Sequence, residues 1–262
     1  MKLTGFEGQV AFVTGAGGGI GAAVAEALGG AGAHVIVTDR DVALAQATAA
    51  RIGQGGSRAR ALGVDVADEA SVENAMAQAE AEVGPIAMLV NVAGIFHSFP
   101  MLDTSQDEWA LHWRVNTMGV VHCCQSAARR MAARGAGRIV TVASQTATIL
   151  RAGQAAYGAS KAAAEYVTKC LGLELAPLGI RCNVVHPGVT ETPLSKAIWE
   201  KNPGAKDRHV AGELARYRVP IPLRKVGQPE DVAMAVMFFL SDQAGHITLA
   251  DLHVDGGATL IA

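Results

Sequence analysis

Short apolar runs alternate along the chain with longer segments that carry apolar residues at helical spacing. The apolar runs predict strands at 9–14, 34–39, 58–66, 86–94, 137–144, 180–188 and 251–257. The longer segments predict helices at about 19–31, 41–52, 69–83, 107–134, 155–176 and 229–241. The last helix begins at Pro229, which suits a first helical position, and Glu230 and Asp231 then meet the positive end of its dipole.

The predicted strands are apolar on both faces, and most of them are followed by a helix. Such strands form a parallel sheet with helices on both faces, and right-handed crossovers make the sheet doubly wound. We therefore predict one α/β domain over 1–262 with a seven-stranded parallel sheet. The stretch 189–228 is irregular and follows the carboxyl end of a strand. We expect a substrate lid there, although a surface insertion would have the same pattern.

Composition narrows the possible partners of the protein. A chain of 262 residues, 50% of them apolar, is long enough for one sizeable core. The net charge is −2, and the absence of a basic stripe argues against nucleic acid or a membrane as a partner. The longest clean apolar run, "VAMAVMFFL", is about half a membrane span. Four cysteines without a C-x-x-C pair predict buried, reduced thiols in a cytoplasmic protein.

A glycine-rich turn, "TGAGGGIG" at 14–21, follows the first strand and opens the first helix. Glycines at 15, 19 and 21 let the backbone turn sharply and approach a pyrophosphate at the helix N-terminus. The spacing is G-x-x-x-G-x-G rather than the commoner G-x-G-x-x-G, and a glycine turn alone is a weak signal. Because it lies between a strand and a helix, it predicts dinucleotide binding by a Rossmann-type domain.

An acidic residue after the second strand indicates which dinucleotide binds. Asp39 lies 18 residues after Gly21, where a carboxylate accepts hydrogen bonds from the ribose hydroxyls of NAD and repels the 2′-phosphate of NADP. Arg40 is adjacent and is able to reach a phosphate, so NADP remains the alternative to NAD. A role for Asp39 as a helix cap is compatible with the same position. Polar residues also end the third and fourth strands, at Asp65 and Asn91.

The segment "AAYGASKAAAEY" places Tyr157 and Lys161 four residues apart on a predicted helix, and therefore on one face. A free tyrosine has a pKa of about 10 and is a poor base at neutral pH. A nearby ammonium lowers that pKa, so the pair can act as a base toward an alcohol or as an acid toward a carbonyl. Taken alone, Y-x-x-x-K equally describes a surface pair on an amphipathic helix.

Two further residues favour the catalytic interpretation of this pair. Ser144 ends the fifth strand, where a hydroxyl can hydrogen-bond the reacting oxygen. Asn116 lies inside the preceding long helix, where an amide can hold a water that relays protons to Lys161. His186 is expected to be a neutral core or pocket-wall histidine. No His/Asp/Glu cluster has metal-ligand spacing, so we predict no metal.

The chain resembles the short-chain dehydrogenase/reductase family over nearly its whole length. The resemblance rests on "TGAGGGIG", "NVAG", Asn116, Ser144, "YGASK", "HPGVTET" and "GQPEDVA", with Val92 where an Asn often stands. It implies NAD(P)-dependent hydride transfer with Tyr157 as acid/base and Lys161 as the group that lowers its pKa and binds ribose. It also implies that Ser144 orients the substrate, that Asn116 serves as a relay, and that the protein is a homotetramer.

The cofactor-binding residues that we expect from the motifs and the resemblance together are Gly15, Gly19, Ile20, Gly21, Asp39, Asp65, Val66, Asn91, Ala93, Gly94, Tyr157, Lys161, Pro187, Gly188 and Thr190. The last three would flank the nicotinamide. The tetramer would use the long helices 107–134 and 155–176 in a four-helix contact.

A closer resemblance concerns the substrate. The segments "GLELAPLGIRCNVVHPG", "TETPLSKAIW" and "GHITLADLHVDGGATL" are similar to the family members that oxidise a cyclohexadiene diol carboxylate in catechol siderophore synthesis. This similarity implies oxidation of the C3 ring alcohol of 2,3-dihydro-2,3-dihydroxybenzoate with NAD⁺, followed by aromatisation to a catechol. Oxidation of 2,3-dihydro-3-hydroxyanthranilate remains open, because the reacting alcohol and the carboxylate are shared. Reduction of a 3-oxoacyl thioester with NADPH is a third hypothesis, which Asp39 disfavours.

A substrate with a carboxylate requires a cation in its pocket. Arg151 lies between Ser144 and Tyr157, and an arginine fork can bind a carboxylate with two hydrogen bonds. The resembling subfamily also has an Arg at this position. Gln145 and Gln154 flank the same pocket and are expected to hydrogen-bond a ring hydroxyl or amine. The alternative is that Arg151 is a surface residue on a loop.

Overall fold

The computed structural model describes residues 2–259, so Met1 and 260–262 of the predicted domain lie outside the described residues. Seven strands form one sheet in the order β3-β2-β1-β4-β5-β6-β7, and every neighbouring pair is parallel. The strands are β1 Val10–Val13, β2 His34–Asp39, β3 Ala59–Gly63, β4 Ile86–Asn91, β5 Gly137–Val142, β6 Ile180–Pro187 and β7 Asp251–Val254. The predicted fold class, an α/β doubly wound sheet, is confirmed.

Nine α-helices accompany the sheet within residues 2–259. They are α1 Gly19–Gly30, α2 Val42–Gln54, α3 Glu69–Glu82, α4 Gln106–His112, α5 Gly119–Arg134, α6 Ala155–Leu175, α7 Pro193–Lys201, α8 Ala205–Ala211 and α9 Pro229–Leu240. Two apolar clusters form the core. One contains buried side chains of α1, α2 and α9, and the other contains those of α3, α5 and α6. Helices therefore cover both faces of the sheet, which explains why its strands are apolar on both faces.

The sheet changes direction between β1 and β4. From β1 the chain winds outward through β2 and β3, and it then returns to β4 on the other side of β1. At such a switch point the connections leave in opposite directions, which opens a crevice at the carboxyl ends of the strands. The predicted site residues follow these ends.

Three predictions about local structure were wrong. The helix predicted at 107–134 is interrupted, because a π-helical stretch at Trp113–Met118 separates α4 from α5. The stretch 189–228 is not irregular, since it contains α7 and α8, and α7 starts with a Thr192 cap followed by Pro193. Cys170 is exposed, whereas Cys123, Cys124 and Cys182 are buried.

The predicted third and fifth strands also extend further toward the C-terminus than the strands of the structure. The structure ends β3 at Gly63 and β5 at Val142, so Asp65 and Ser144 lie two residues beyond their strands. Among the described residues, no helix combines the length and the apolar character that a membrane span requires.

Close packing of α6 against β6 generates a prediction about stability. A Cβ at Gly172 would lie 2.8 Å from the Cβ of Cys182, so Gly172→Ala should destabilise the protein by about 1–3 kcal/mol through overpacking. Gly53→Ala, in α2, has open space and is the matched control; it should stabilise by up to about 1 kcal/mol. Urea denaturation measures both values, and equal stabilities of the two variants would contradict the packing argument.

Candidate active site

A cleft of about 850 Å³ opens at the carboxyl ends of the strands. Most of the predicted site residues line it, namely Gly15, Gly19, Ile20, Gly21, Asp39, Asp65, Val66, Ala93, Gly94, Ser144, Gln145, Arg151, Gln154, Tyr157, Lys161, Pro187, Gly188 and Thr190. Asn91 and Asn116 do not line the cleft. The fold therefore brings the glycine turn and the Tyr157 helix to a single cavity.

The glycine turn leaves no room for side chains at two of its positions. Gly15 has a φ of +63°, and a Cβ there would lie 2.7 Å from the Cα of Ala93. A Cβ at Gly21 would lie 2.1 Å from the carbonyl oxygen of Gly15. Helix α1 begins at Gly19 without a side-chain cap and without an acidic residue in its first turn. Its N-terminal N–H groups are therefore available to a phosphate, which fits a dinucleotide.

Asp39 is fixed at the end of β2 by the backbone. Its Oδ2 accepts a hydrogen bond from the Gly17 N–H at 3.0 Å, and its Oδ1 accepts one from the Asp41 N–H at 3.0 Å. The cap of α2 is Asp41, whose carboxylate accepts from two N–H groups of the first turn. Asp39 is therefore not the helix cap, and its carboxylate is directed along the wall of the cleft.

The Asn91 side chain does not line the cleft, and the cofactor role predicted for this residue stays a prediction. Its Nδ2 donates to Thr141 Oγ1 at 3.1 Å and to Cys124 Sγ at 3.3 Å, beneath the cleft. The side chain lies on the face of β4 that packs against α5, so it links strand to helix instead of facing a ligand. Thr14 holds the following backbone in place, since its hydroxyl accepts hydrogen bonds from Val92 and Ala93 N–H.

Tyr157 lies in the first turn of α6, and its ring packs edge-on against Phe96 with centroids 4.9 Å apart. Burial raises the pKa of the Tyr157 phenol, and the neighbouring Ser144 hydroxyl acts in the opposite direction. The Ser144 Oγ also accepts a hydrogen bond from the Thr146 N–H at 3.2 Å. Burial has the largest effect on the pKa of the Tyr157 phenol and raises it. The lowering of this pKa by Lys161 that the sequence led us to expect stays a prediction.

Lys161 is only 5% exposed, and its Nζ donates to the carbonyl oxygen of Val142 at 3.0 Å. Burial lowers the pKa of its ammonium from 10.5 to about 8. A Cβ at Gly94 would lie 3.2 Å from this Nζ and 3.0 Å from Asn116 Oδ1. The absence of a side chain at Gly94 therefore keeps space next to the ammonium, and ribose binding there stays a prediction.

The π-helical stretch explains how an amide is accommodated inside a helix. Asn116 is fully buried; its Oδ1 accepts from the Ile95 N–H at 2.8 Å, and its Nδ2 donates to the Ile95 carbonyl at 3.1 Å. The same Nδ2 donates to Ser160 Oγ at 3.0 Å, next to Lys161. Asn116 therefore connects the loop after β4 to α6 from behind the cleft. Its role as a proton relay stays a prediction.

Polar atoms without partners collect at the other end of the cleft. Gln145 is 5% exposed, and its Oε1 has no hydrogen-bond partner among the described residues. The Nε of Arg151 is likewise buried without a described partner. Burial lowers the pKa of Arg151, and Asp255 acts in the opposite direction. These groups are suited to a polar or anionic ligand.

Comparisons with known proteins give the family of the chain. A family model described as "Enoyl-(Acyl carrier protein) reductase" matches residues 15–259. The chain is 44% identical over 260 residues to the 2,3-dihydro-2,3-dihydroxybenzoate dehydrogenase of Bacillus subtilis (strain 168), with 99% of each chain covered. It is 39% identical over 261 residues to the vibriobactin-specific 2,3-dihydro-2,3-dihydroxybenzoate dehydrogenase of Vibrio cholerae serotype O1, again with 99% of each covered. The chain belongs to the short-chain dehydrogenase/reductase family.

The protein is thus an enzyme of this oxidoreductase family, as its motifs indicated. A solved structure of a 7 alpha-hydroxysteroid dehydrogenase complexed with NADH and 7-oxo glycochenodeoxycholic acid superposes on it with a TM-score of 0.89. The two are 29% identical, and the match covers 97% of this chain and 95% of that chain.

Sequence reasoning missed several residues that line the cleft of this short-chain dehydrogenase/reductase. They are Phe96, Ser98, Thr192, Trp199, Arg208, Arg216 and Arg218. Most of them come from 189–228. Two features of the sequence could have pointed to them: a Thr192 cap followed by Pro193, which predicts the start of a helix, and the arginine-rich stretch "ARYR". The lid was predicted only as a range, and Thr190 was the one residue of it that was assigned to the site.

His186 lies beneath Ser144, in the core, as predicted. Its Nδ1 donates to the Ser144 carbonyl oxygen at 2.8 Å, and its Nε2 is 3.4 Å from Glu165 Oε2. Hydrogen bonding from His186, assisted by Lys169, lowers the pKa of Glu165 from 4.5 to about 2. The backbone of Ser144 is therefore supported by a buried imidazole and its carboxylate partner.

The structure also brings together three residues that could hold a metal ion, which their sequence spacing did not reveal. Ligand atoms of His186, Asp251 and His253 all lie within 4.8 Å of one another. The two imidazole rings stack with centroids 4.7 Å apart and 18° between their planes. Lys169 already donates to Asp251 Oδ1 at 2.5 Å. A shared ion would require these side chains to rearrange.

The Glu165 carboxylate makes the free energy of unfolding depend on pH in the acidic range. Its folded-state pKa of about 2 lies below the unfolded value of 4.5, so its stabilisation, about 2–3 kcal/mol, is complete above pH 4.5. That stabilisation is lost as the pH falls from 4.5 through about 2. The free energy of unfolding, measured by urea denaturation, should therefore fall less between pH 7 and pH 3 in Glu165→Gln than in the wild type. Glu200→Gln, at an exposed position, is the control, and an unchanged difference in Glu165→Gln would refute the assignment.

Proposed function

We propose that the protein oxidises the C3 ring alcohol of 2,3-dihydro-2,3-dihydroxybenzoate with NAD⁺ and yields 2,3-dihydroxybenzoate for siderophore or related secondary metabolism. The observation that carries the proposal is Arg151, whose buried Nε lacks a described partner in the same cleft as Tyr157. The Arg151 side chain is half-buried, and a guanidinium in such a position can bind a substrate carboxylate with two hydrogen bonds. The names of the Bacillus and Vibrio relatives support this substrate.

The residues around Tyr157 fit removal of a proton from an alcohol. In the proposed reaction, Tyr157 Oη takes the hydroxyl proton, and the Ser144 hydroxyl hydrogen-bonds the reacting oxygen. The Lys161 ammonium, protonated below a pKa of about 8, favours the phenolate and binds the ribose. Bound nicotinamide supplies the hydride acceptor. The resulting ring ketone tautomerises to a catechol, and this aromatisation favours the oxidative direction.

For the cofactor we propose NAD in preference to NADP. The Asp39 carboxylate is held by two backbone N–H groups where a ribose 2′-hydroxyl would lie, and a 2′-phosphate there would be repelled. Phosphate binding by Arg40, which also lines the cleft, is the alternative. The remaining cofactor-binding residues are those of the sequence prediction that line the cleft.

We further propose that 189–228 closes over the substrate and that the enzyme is a cytoplasmic homotetramer. Segment 189–228 supplies one wall of the cleft, which supports a lid. On α6, Tyr166 and Leu173 are 73% and 67% exposed, which supports a contact between copies through this helix. The four cysteines are free thiols, which suits a reducing compartment.

A second candidate substrate is 2,3-dihydro-3-hydroxyanthranilate. The unpartnered Gln145 Oε1 is a buried acceptor, and an amine at ring C2 would satisfy it as well as a hydroxyl would. Comparison of kcat/KM for the two substrates decides between them. Reduction of a 3-oxoacyl thioester with NADPH is less compatible with Asp39, and a higher kcat/KM with NADPH and such a thioester would favour it.

Turnover of the dihydrodiol tests the proposed reaction. Wild-type enzyme with NAD⁺ and 2,3-dihydro-2,3-dihydroxybenzoate should produce NADH and a fluorescent catechol in equal amounts. Tyr157→Phe removes the proton acceptor and should lower kcat by about 10²–10⁴-fold. Tyr166→Phe, at an exposed position of the same helix, is the matched control. The proposal is wrong if the wild type does not turn over or if Tyr157→Phe keeps full activity.

Removal of the Asp39 charge tests the cofactor. Asp39→Asn keeps an acceptor for the Gly17 N–H but no longer repels a phosphate. The ratio of kcat/KM with NADP to kcat/KM with NAD should rise by about tenfold, equivalent to about 1.4 kcal/mol. Asp41→Asn, in the cap of α2, should leave the ratio unchanged. A wild-type enzyme that prefers NADP would contradict the assignment of Asp39.

A further inference from the structure

Three arginines meet at the substrate end of the cleft. Arg151 belongs to the loop between β5 and α6, whereas Arg216 and Arg218 belong to 189–228, and all three line the cavity. Other arginines of the described chain, such as Arg130, Arg134 and Arg138, pair with carboxylates. No carboxylate oxygen of residues 2–259 lies within 4.0 Å of Arg151, Arg216 or Arg218. The cluster therefore has positive charge without a directly bound counter-ion.

The charges of this cluster act on one another. Burial, with additional repulsion from Arg151 and Arg216, lowers the pKa of Arg218 from 12.5 to about 10. Burial and three neighbouring arginines likewise lower the pKa of His209 to about 4, so that its imidazole is neutral at pH 7. An anion placed among the guanidinium groups would relieve this repulsion.

A short hairpin holds Arg218 in place. The Glu213 N–H donates to the Arg218 carbonyl at 2.8 Å, and the Arg218 N–H donates to the Glu213 carbonyl at 3.0 Å. The turn between them contains Tyr217 with a φ of +52°. At the turn, Arg216 Nη2 is 3.5 Å from the Ala152 carbonyl oxygen, next to Arg151. The hairpin and the Arg151 loop thus lie against each other.

The Arg151 loop is itself anchored on its other side. The carbonyl oxygen of Gly153 accepts hydrogen bonds from the Phe99 N–H at 3.0 Å and from Ser98 Oγ at 2.9 Å. Arg151 therefore projects from a braced loop, whereas Arg218 projects from the lid. Two guanidinium groups on separate elements can hold one carboxylate between them, which a single arginine cannot do from one side.

We propose that Arg218 and Arg151 form a two-arginine clamp for the substrate carboxylate, with Arg216 positioning the hairpin. This inference rests on the proposed function and adds a second carboxylate-binding residue, carried by the lid. The ligand class is a six-membered-ring carboxylate whose reacting hydroxyl faces Tyr157. The clamp would couple the position of the lid to the carboxylate, because Arg218 belongs to 189–228 and Arg151 does not.

Binding of the product and of its decarboxylated analogue tests the clamp. With saturating NADH, calorimetry should show that the wild type binds 2,3-dihydroxybenzoate at least tenfold more tightly than catechol. Arg218→Gln should reduce this preference by about tenfold and leave the affinities for catechol and NADH unchanged. Arg218→Lys should keep part of the preference, because a lysine supplies charge without the fork. Lys201→Gln removes a charge from the same segment outside the cleft and is the matched control.

A double-mutant cycle tests whether the two arginines bind the same anion. If they share one carboxylate, the loss of preference in Arg151→Gln/Arg218→Gln is smaller than the product of the single losses. The clamp is overturned if the loss of preference in the double variant equals the product of the losses in the single variants. It is also overturned if Arg218→Gln keeps the wild-type preference for 2,3-dihydroxybenzoate over catechol. Equal wild-type affinities for catechol and 2,3-dihydroxybenzoate would also overturn it. If the enzyme does not turn over the dihydrodiol, the proposed function is refuted. The preference of the protein for 2,3-dihydroxybenzoate over catechol can still be measured in that case, and it tests the clamp separately.

Discussion

The burial of the Lys161 ammonium is the constraint on which the candidate site depends. A charged group loses its hydration when it enters the protein, and here one backbone carbonyl, that of Val142, replaces part of it. The lost hydration accounts for the lowered pKa of Lys161 and requires space for another polar group above the ammonium. Gly94 provides that space. The glycines, the π-helical stretch and the first turn of α6 are arranged around this ammonium.

Glycines keep the cleft open where the turn after β1 passes the cavity. At Gly15 and Gly21 any side chain would collide with backbone, so the turn can pass close to a bound pyrophosphate. The uncapped N-terminus of α1 then offers N–H groups to the phosphates. This half of the cleft offers backbone dipoles to an anion, whereas the half near Arg151 offers full positive charges. The two halves of the cleft therefore suit a cofactor and an anionic substrate by different physical means.

Support for the reacting groups comes from beneath the cleft. Asn116 ties the loop after β4 to α6, and His186 holds the carbonyl of Ser144. Both side chains are buried and hydrogen-bonded to backbone next to the reacting residues, which helps to fix those residues in place. The segment 189–228 contrasts with them, because several of its residues that line the cleft, such as Asn202, Arg208 and Arg216, are exposed.

The sequence by itself determined the order of strands and helices, the glycine turn and the Tyr157–Lys161 spacing, because local periodicity and residue type specify them. It also placed Asp39 and Arg151 near the strand ends that form the cleft. The tertiary structure decided the rest. Strand alternation and packing directed Asn91 into the interior, and a hydrogen bond from Arg216 to Ala152 joined the hairpin of Arg218 to the Arg151 loop across more than 60 residues. Such contacts leave no local pattern in the chain, since the partners meet only when the sheet and its helices pack.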